Sequence, residues 1–136
     1  MSTNKDISDL TTQIKSAVEG LVFISETDSP MELFILPAAD QETRENKISH
    51  FKISLGRPIE ELSVEPFFAR LVIDREWHTE QQSQDVKKFR HLKALLEANL
   101  RDLRVFKVGH IRIDIYVVGI DPNGEIMGIR TNAVET

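Results

Sequence analysis

Ile7, Leu10, Ile14 and Val18 recur at spacings of three, four and four residues. That is one face of a helix. Asp6 or a neighbouring Ser/Thr can cap it, and Gly20 is placed to end it. The apolar run Leu21-Val22-Phe23-Ile24 follows. Ser25 to Pro30 is polar and turn-like, with a proline that favours extended backbone before it. Met31 to Leu36 (MELFIL) reads as a strand. Over 37–58 the pattern is weakest. PAADQETREN reads as a polar loop. Phe51, Ile53 and Leu55 alternate within Ile48 to Leu55, which predicts a strand, and Gly56-Arg57-Pro58 predicts a turn.

The second half is more regular. Ser63 can cap a short helix over Val64 to Arg70, with Pro66 tolerated in its first turn. Ile73 to Gln84 is polar except for Trp77. Residues 83–103 then predict a long helix, because Val86, Phe89, Leu92, Leu95, Leu96, Leu100 and Leu103 make one apolar stripe. Val105 to Val108 predicts a strand. Ile111 to Val118 alternates over its first six residues. Asp121-Pro122-Asn123-Gly124 is a hairpin signal, and Glu125 to Thr131 returns as a strand. One sheet with helices packed on it, largely antiparallel at its C-terminal end, accommodates this order.

Composition narrows the class. The 136 residues are 40% hydrophobic and 29% charged, which is globular. That length suits one domain over 1–136. With no cysteine, disulfides, thiol nucleophiles and thiolate metal sites are excluded. MSTNKDISDL lacks the apolar core of a signal peptide, and no stretch approaches the length of a membrane span, so a cytoplasmic location is expected.

The net charge of −5 argues mildly against direct nucleic-acid binding, which needs clustered Lys and Arg. The acid is unevenly placed. Within 16–43 stand Glu19, Glu26, Asp28, Glu32, Asp40 and Glu42, with no Lys or Arg among them. Such a window is a solvated edge, or a surface that looks like nucleic-acid phosphate to a basic partner.

Catalytic constellations are missing. There is no phosphate-binding glycine loop and no His-Glu-x-x-His. His50, His78, His91 and His110 share no ligand spacing. His91 reads as a half-buried packing residue and His110 as a solvated turn residue. Glu60-Glu61 reads as a pair of helix-cap acids. Nothing assembles a base, a nucleophile and an oxyanion site, so the chain reads as no enzyme. Two features stand apart. Trp77, the only tryptophan, lies among Asp74, Arg75, Glu76, His78, Thr79 and Glu80, so it either plugs into the core or is a binding anchor. The ending Asn132-Ala133-Val134-Glu135-Thr136 follows directly from a predicted strand. It is either an inert terminus or a set of hard oxygen ligands suited to Mg²⁺.

Several stretches, in this order, carry a resemblance to a known family. They are Gly20-Leu21-Val22-Phe23-Ile24-Ser25-Glu26, Pro30 with the strand after it, Phe67-Phe68-Ala69-Arg70, and Trp77 behind an acid. Lys88-Phe89, Asn99-Leu100 and Val105 to Gly109 follow. The last are Asp114 to Gly119, Gly124, Gly128-Ile129, Thr131 and Val134-Glu135-Thr136. Residues 38–57 do not take part. Together they resemble the bacterial nuclease A inhibitor family, and the specificity lies in colinearity over nearly the whole length.

The resemblance implies a three-layer α/β/α sandwich with a mixed, largely antiparallel sheet, similar in topology to the plant PR-1 proteins. It implies a protein that blocks a sugar-nonspecific DNA/RNA endonuclease in a one-to-one complex, and a monomer when free. Carried over by position, Thr136 coordinates the nuclease's catalytic Mg²⁺, which is shared in the complex; the chain has no cofactor of its own. Glu26 meets basic residues that would hold a DNA phosphate. Glu76-Trp77 supply further anchors, with Glu76 one methylene longer than the family's Asp. The alternative expectation is an interaction module of the same fold with a partner that is not a nuclease.

Overall fold

In a computed structural model, residues 3–24, 26–36, 47–56, 59–69, 71 and 80–135 are described. They form helix α1 (Thr3–Val18), strands β1 (Val22–Ile24), β2 (Asp28–Pro30) and β3 (Glu32–Ile35), helix α2 (Lys47–Ser54) and strand β4 (Ile59–Leu62). Then come helices α3 (Val64–Ala69) and α4 (Glu80–Asn99), and strands β5 (Arg101–Val108), β6 (Arg112–Ile120) and β7 (Ile126–Val134).

The strands make a five-stranded sheet in the order β3-β7-β6-β5-β4 and a two-stranded sheet, β1-β2. Every described pairing is antiparallel, so the mixed sheet expected above is not observed. Each central pair joins neighbours in sequence by a short turn, which leaves no need for a parallel crossover. The β6–β7 turn is the predicted one. Asp121 Oδ1 accepts from the amides of Asn123 and Glu125 at 2.8 and 3.0 Å, and Gly124 takes the left-handed φ of 82° that the turn requires.

Alternation along the strands sends apolar side chains to both faces of the sheet. On one face, Val105, Ile113, Ile115, Val117, Met127, Ile129 and Ala133 pack with Leu10, Ile14 and Val18 of α1. Phe67 and Phe68 of α3 and Phe89, Leu92, Leu95 and Leu96 of α4 complete that cluster. On the other, Phe106, Val108, Val118, Ile120 and Ile126 pack with Ile48 and Phe51 of α2. The helical spacing read in α1 is thus the buried face, and Gly20, at φ 78°, follows its end.

Three expectations need correction. The segment read as a strand at Ile48 to Leu55 is α2. Its alternation was coincidental: Ile48 and Phe51, three apart, are buried, while Ile53 is 74% exposed. Phe51 meets Phe34, Phe106 and Tyr116 through ring contacts at 5.6–6.1 Å, which a helix turn can deliver. The long helix ends at Asn99, not at 103. The Asn99 side chain donates back to Leu95 O at 2.9 Å, Asp102 takes a left-handed φ of 53°, and β5 begins. The leucine stripe does not break there because Leu100 and Leu103 enter the same cluster from the strand side. Glu60 and Glu61 cap no helix; they lie in β4, opposite Lys107 and Phe106.

Candidate functional site

The C-terminal end of β7 is built from three directions. On one side stands the β1–β2 hairpin. Phe23 of β1 stacks on Phe67 of α3, with centroids 5.7 Å apart and planes 4° apart. The buried Thr131 hydroxyl reaches the carbonyl oxygens of Ser29 and Pro30 at 3.3 and 3.0 Å, which ties β2 to β7. On the other side β6 pairs with β7 as far as Arg112 opposite Val134. Beyond β6, Lys107 of β5 reaches over.

At that end one peptide unit is held on both sides. The carbonyl of Val134 accepts from the amide of Glu26 at 3.2 Å, and the amide of Glu135 donates to Ile111 O at 2.9 Å. Glu26 lies in the bend between β1 and β2 and is exposed. The Glu135 carboxylate accepts from Lys107 Nζ at 3.2 Å, and the same ammonium stands 4.0 Å from Glu60 Oε1. A cleft of about 330 Å³ opens beside these groups, lined by Ile59, Glu60, Lys107, His110, Ile113 and Glu135.

Of the expected site residues, Glu26 is placed at this end of the sheet. Glu76, Trp77 and Thr136 lie outside the described residues, as does His78. Glu135, the residue before Thr136, is the last described one. In the acidic window, Glu19, Glu26, Asp28 and Glu32 are all exposed, and Asp40 and Glu42 lie outside the described residues. His91, read as half-buried, is exposed: it borders a groove between α1 and α4 with Lys87 and Lys88, because the stripe of α4 leaves it on the outer face. His110 is exposed in the β5–β6 turn, as expected.

A second charged cluster lies on the face of α2. Glu61 accepts from Arg104 Nη1 at 3.1 Å and pairs with Lys52 Nζ at 3.2 Å. The hydrogen-bonded Lys52 ammonium holds the Glu61 carboxyl below the usual carboxylate range. Partial burial opposes this, and Arg104 adds to it. Among the described residues, no three His, Asp or Glu side chains gather in a metal-binding group. No described helix is long and apolar enough to cross a membrane.

Lys107 and Ile111 were not singled out from the sequence. Val105 to Val108 reads as a strand and Ile111 opens the alternating run, but neither pattern carries information on which strand end meets the end of β7.

No curated protein matches the chain. A family model does: the model described as nuclease A inhibitor-like protein matches residues 8–136, from the first helix to the last residue of the sequence. The chain therefore belongs to the nuclease A inhibitor-like family.

Proposed function

We propose that the protein inhibits a sugar-nonspecific DNA/RNA endonuclease by presenting the end of β7 and the adjoining hairpin to the enzyme's active site. Family membership supports the nuclease as partner. The observation that carries the site is the doubly held Val134–Glu135 peptide, with Glu26 bonded to one side of it. A group carried one residue beyond that peptide enters a partner from a base already ordered, so little of its freedom remains to be lost on binding.

In this reading each residue has a separate task. Thr136 offers its hydroxyl to the Mg²⁺ of the nuclease. The ion belongs to the enzyme, and the chain adds an oxygen ligand of the hard type that Mg²⁺ prefers. The inhibitor survives the encounter because neither Thr136 nor Glu26 presents a phosphodiester. Glu26 takes the place of a phosphate against basic residues and steers the approach. Trp77, with Glu76 beside it, supplies apolar contact area, the usual source of interface affinity.

The same reading makes the chain a single domain over 1–136 with no catalytic activity and no resident cofactor. It acts in the cytoplasm as a monomer that forms a one-to-one complex. The helices against both sheet faces support a three-layer, PR-1-like sandwich as its architecture.

Titration into a nonspecific endonuclease tests the proposal. Stoichiometric inhibition is expected, weakened by deletion of Thr136 and by Trp77→Ala. If neither change alters inhibition, the assigned mechanism is wrong. If the intact chain leaves such nucleases fully active, the partner is of another kind.

A further inference from the structure

The β6–β7 turn, at the far end of β7 from Val134, carries a chemistry that inhibition does not use. Asn123 precedes Gly124 there, and it is the only asparagine in the sequence followed by glycine. Its side chain is exposed. The side-chain carbonyl carbon of an asparagine and the backbone nitrogen of the next residue are close enough in the chain to close a ring. Glycine has no Cβ to obstruct that approach. Asn99 and Asn132 precede Leu100 and Ala133, which do carry one.

The reaction is a hydrolysis in two stages. The Gly124 amide gives up its proton to hydroxide, and its nitrogen attacks Cγ of Asn123. The new N–Cγ bond closes an imide ring. The side-chain nitrogen leaves as ammonia, taking a proton from water. Water then adds to one of the two ring carbonyls. Opening at Cγ restores the ordinary backbone with Asp at 123. Opening at the backbone carbonyl gives isoaspartate, with the chain running through Cβ and Cγ. Nothing is oxidised or reduced, and water is the only co-reactant.

The folded turn opposes the first stage. The Gly124 amide donates to Asp121 O at 2.8 Å, so the proton that must leave is held by a carbonyl across the turn. Asp121 is buried, and its Oδ1 accepts from the amides of Asn123 and Glu125 at 2.8 and 3.0 Å. Its own amide donates to Glu125 O at 2.8 Å. Together these bonds fix the backbone on both sides of the Asn123–Gly124 peptide. Ring closure has to break the bond at Gly124 and turn that peptide, so it draws on a local opening of the turn.

We propose that Asn123 is a site of spontaneous deamidation, and that Asp121 sets its rate by holding the turn closed. The isoaspartyl product adds a methylene to the backbone between Asp121 and Glu125. The bonds across the turn then lose their register, and the modified hairpin is weaker than the parent one. The site is independent of any partner.

The test uses the full chain, incubated at neutral pH in buffer and in denaturing urea. Peptide mapping by mass spectrometry resolves Asn, Asp and isoaspartate at 123. Conversion is expected in urea, and at least about tenfold slower in buffer. Asp121→Ala is expected to raise the rate in buffer about tenfold and to leave the rate in urea unchanged. Asp121→Asn keeps a side-chain oxygen acceptor and should stay slow. It adds no second site, because Pro122 has no N–H to lose. Ile14→Val weakens the core far from the turn and should leave the rate in buffer as it was. Absence of conversion in urea overturns the site. Equal rates in buffer and urea overturn the control by the turn, and so does equal acceleration by Ile14→Val and Asp121→Ala. The comparison of buffer with urea in the parent chain holds whether or not Asp121→Ala folds.

Discussion

The amide of Glu26 donates to the carbonyl of Val134 at 3.2 Å. This bond joins a bend near the start of the chain to its last strand. Any partner that meets the Glu26 side chain is therefore beside the end of β7. The bond is made by backbone, so it does not depend on which side chain stands at position 26.

That division predicts separable effects at Glu26. Glu26→Lys keeps the amide that donates to Val134 and reverses the charge beside the end of β7. The reversed charge should slow association with a basic nuclease by roughly tenfold and weaken the salt dependence of the rate. Stopped-flow association at several ionic strengths checks this. An unchanged rate would remove Glu26 from the interface.

The shared metal predicts a dependence on divalent ions. Affinity measured calorimetrically in Mg²⁺ should exceed that in excess chelator by at least about tenfold, and the difference should disappear when Thr136 is deleted. The remaining affinity would report the metal-independent contacts, Trp77 among them. Equal affinity with and without the ion would exclude the bridge.

Gly128 sits in β7 between Val118 of β6 and Phe34 of β3, in the middle of the sheet. A Cβ there would run into the carbonyl oxygen of Val117 and lie 2.9 Å from the Cα of Val118. Both obstacles are backbone and cannot swing aside. Gly128→Ala should cost about 3 kcal/mol, read from urea unfolding. Because β7 carries the candidate site, inhibition should fall in the same variant.

Glu61 predicts a pH effect with a definite sign. Its folded-state pKa lies below the ordinary 4.5, chiefly because Lys52 donates to it. A depressed carboxyl pKa stabilises the fold above the unfolded value, and that gain is lost as pH falls through the folded value. Glu61→Gln should be less stable than the parent chain near pH 7 and equal to it in strong acid, with the curves converging below about pH 4.5. Partial exposure keeps the gap small. Parallel curves over the whole range would show that the pair contributes nothing.

Much of the fold could be read along the chain where one period dominated. α1 was legible from Leu10, Ile14 and Val18, and its end from Gly20. The β6–β7 hairpin was legible from Asp121 to Gly124, since side-chain capping and a left-handed glycine are local matters. α2 was not, because Phe51, Ile53 and Leu55 satisfy a strand pattern and Ile48 with Phe51 satisfy a helix pattern. Contact with Phe106 and Tyr116, supplied by distant strands, decides between them. The end of α4 was hidden for a related reason: Leu100 and Leu103 serve the same cluster from a different element.

The candidate site divides in the same way. Sequence alone determined which chemistry is available: an acid-rich window around Glu26 with no base in it, no cysteine, and a terminal Glu-Thr after a strand. Its colinear residues also pointed to the family that the match over 8–136 establishes. Only the tertiary structure decided that Glu26 meets Val134, that Ile111 holds Glu135, and that Lys107 spans β6 to reach the same residue. Propensity and periodicity act over a few neighbouring residues. Strand order and register are set by burial of both sheet faces at once, and that is a property of the whole chain.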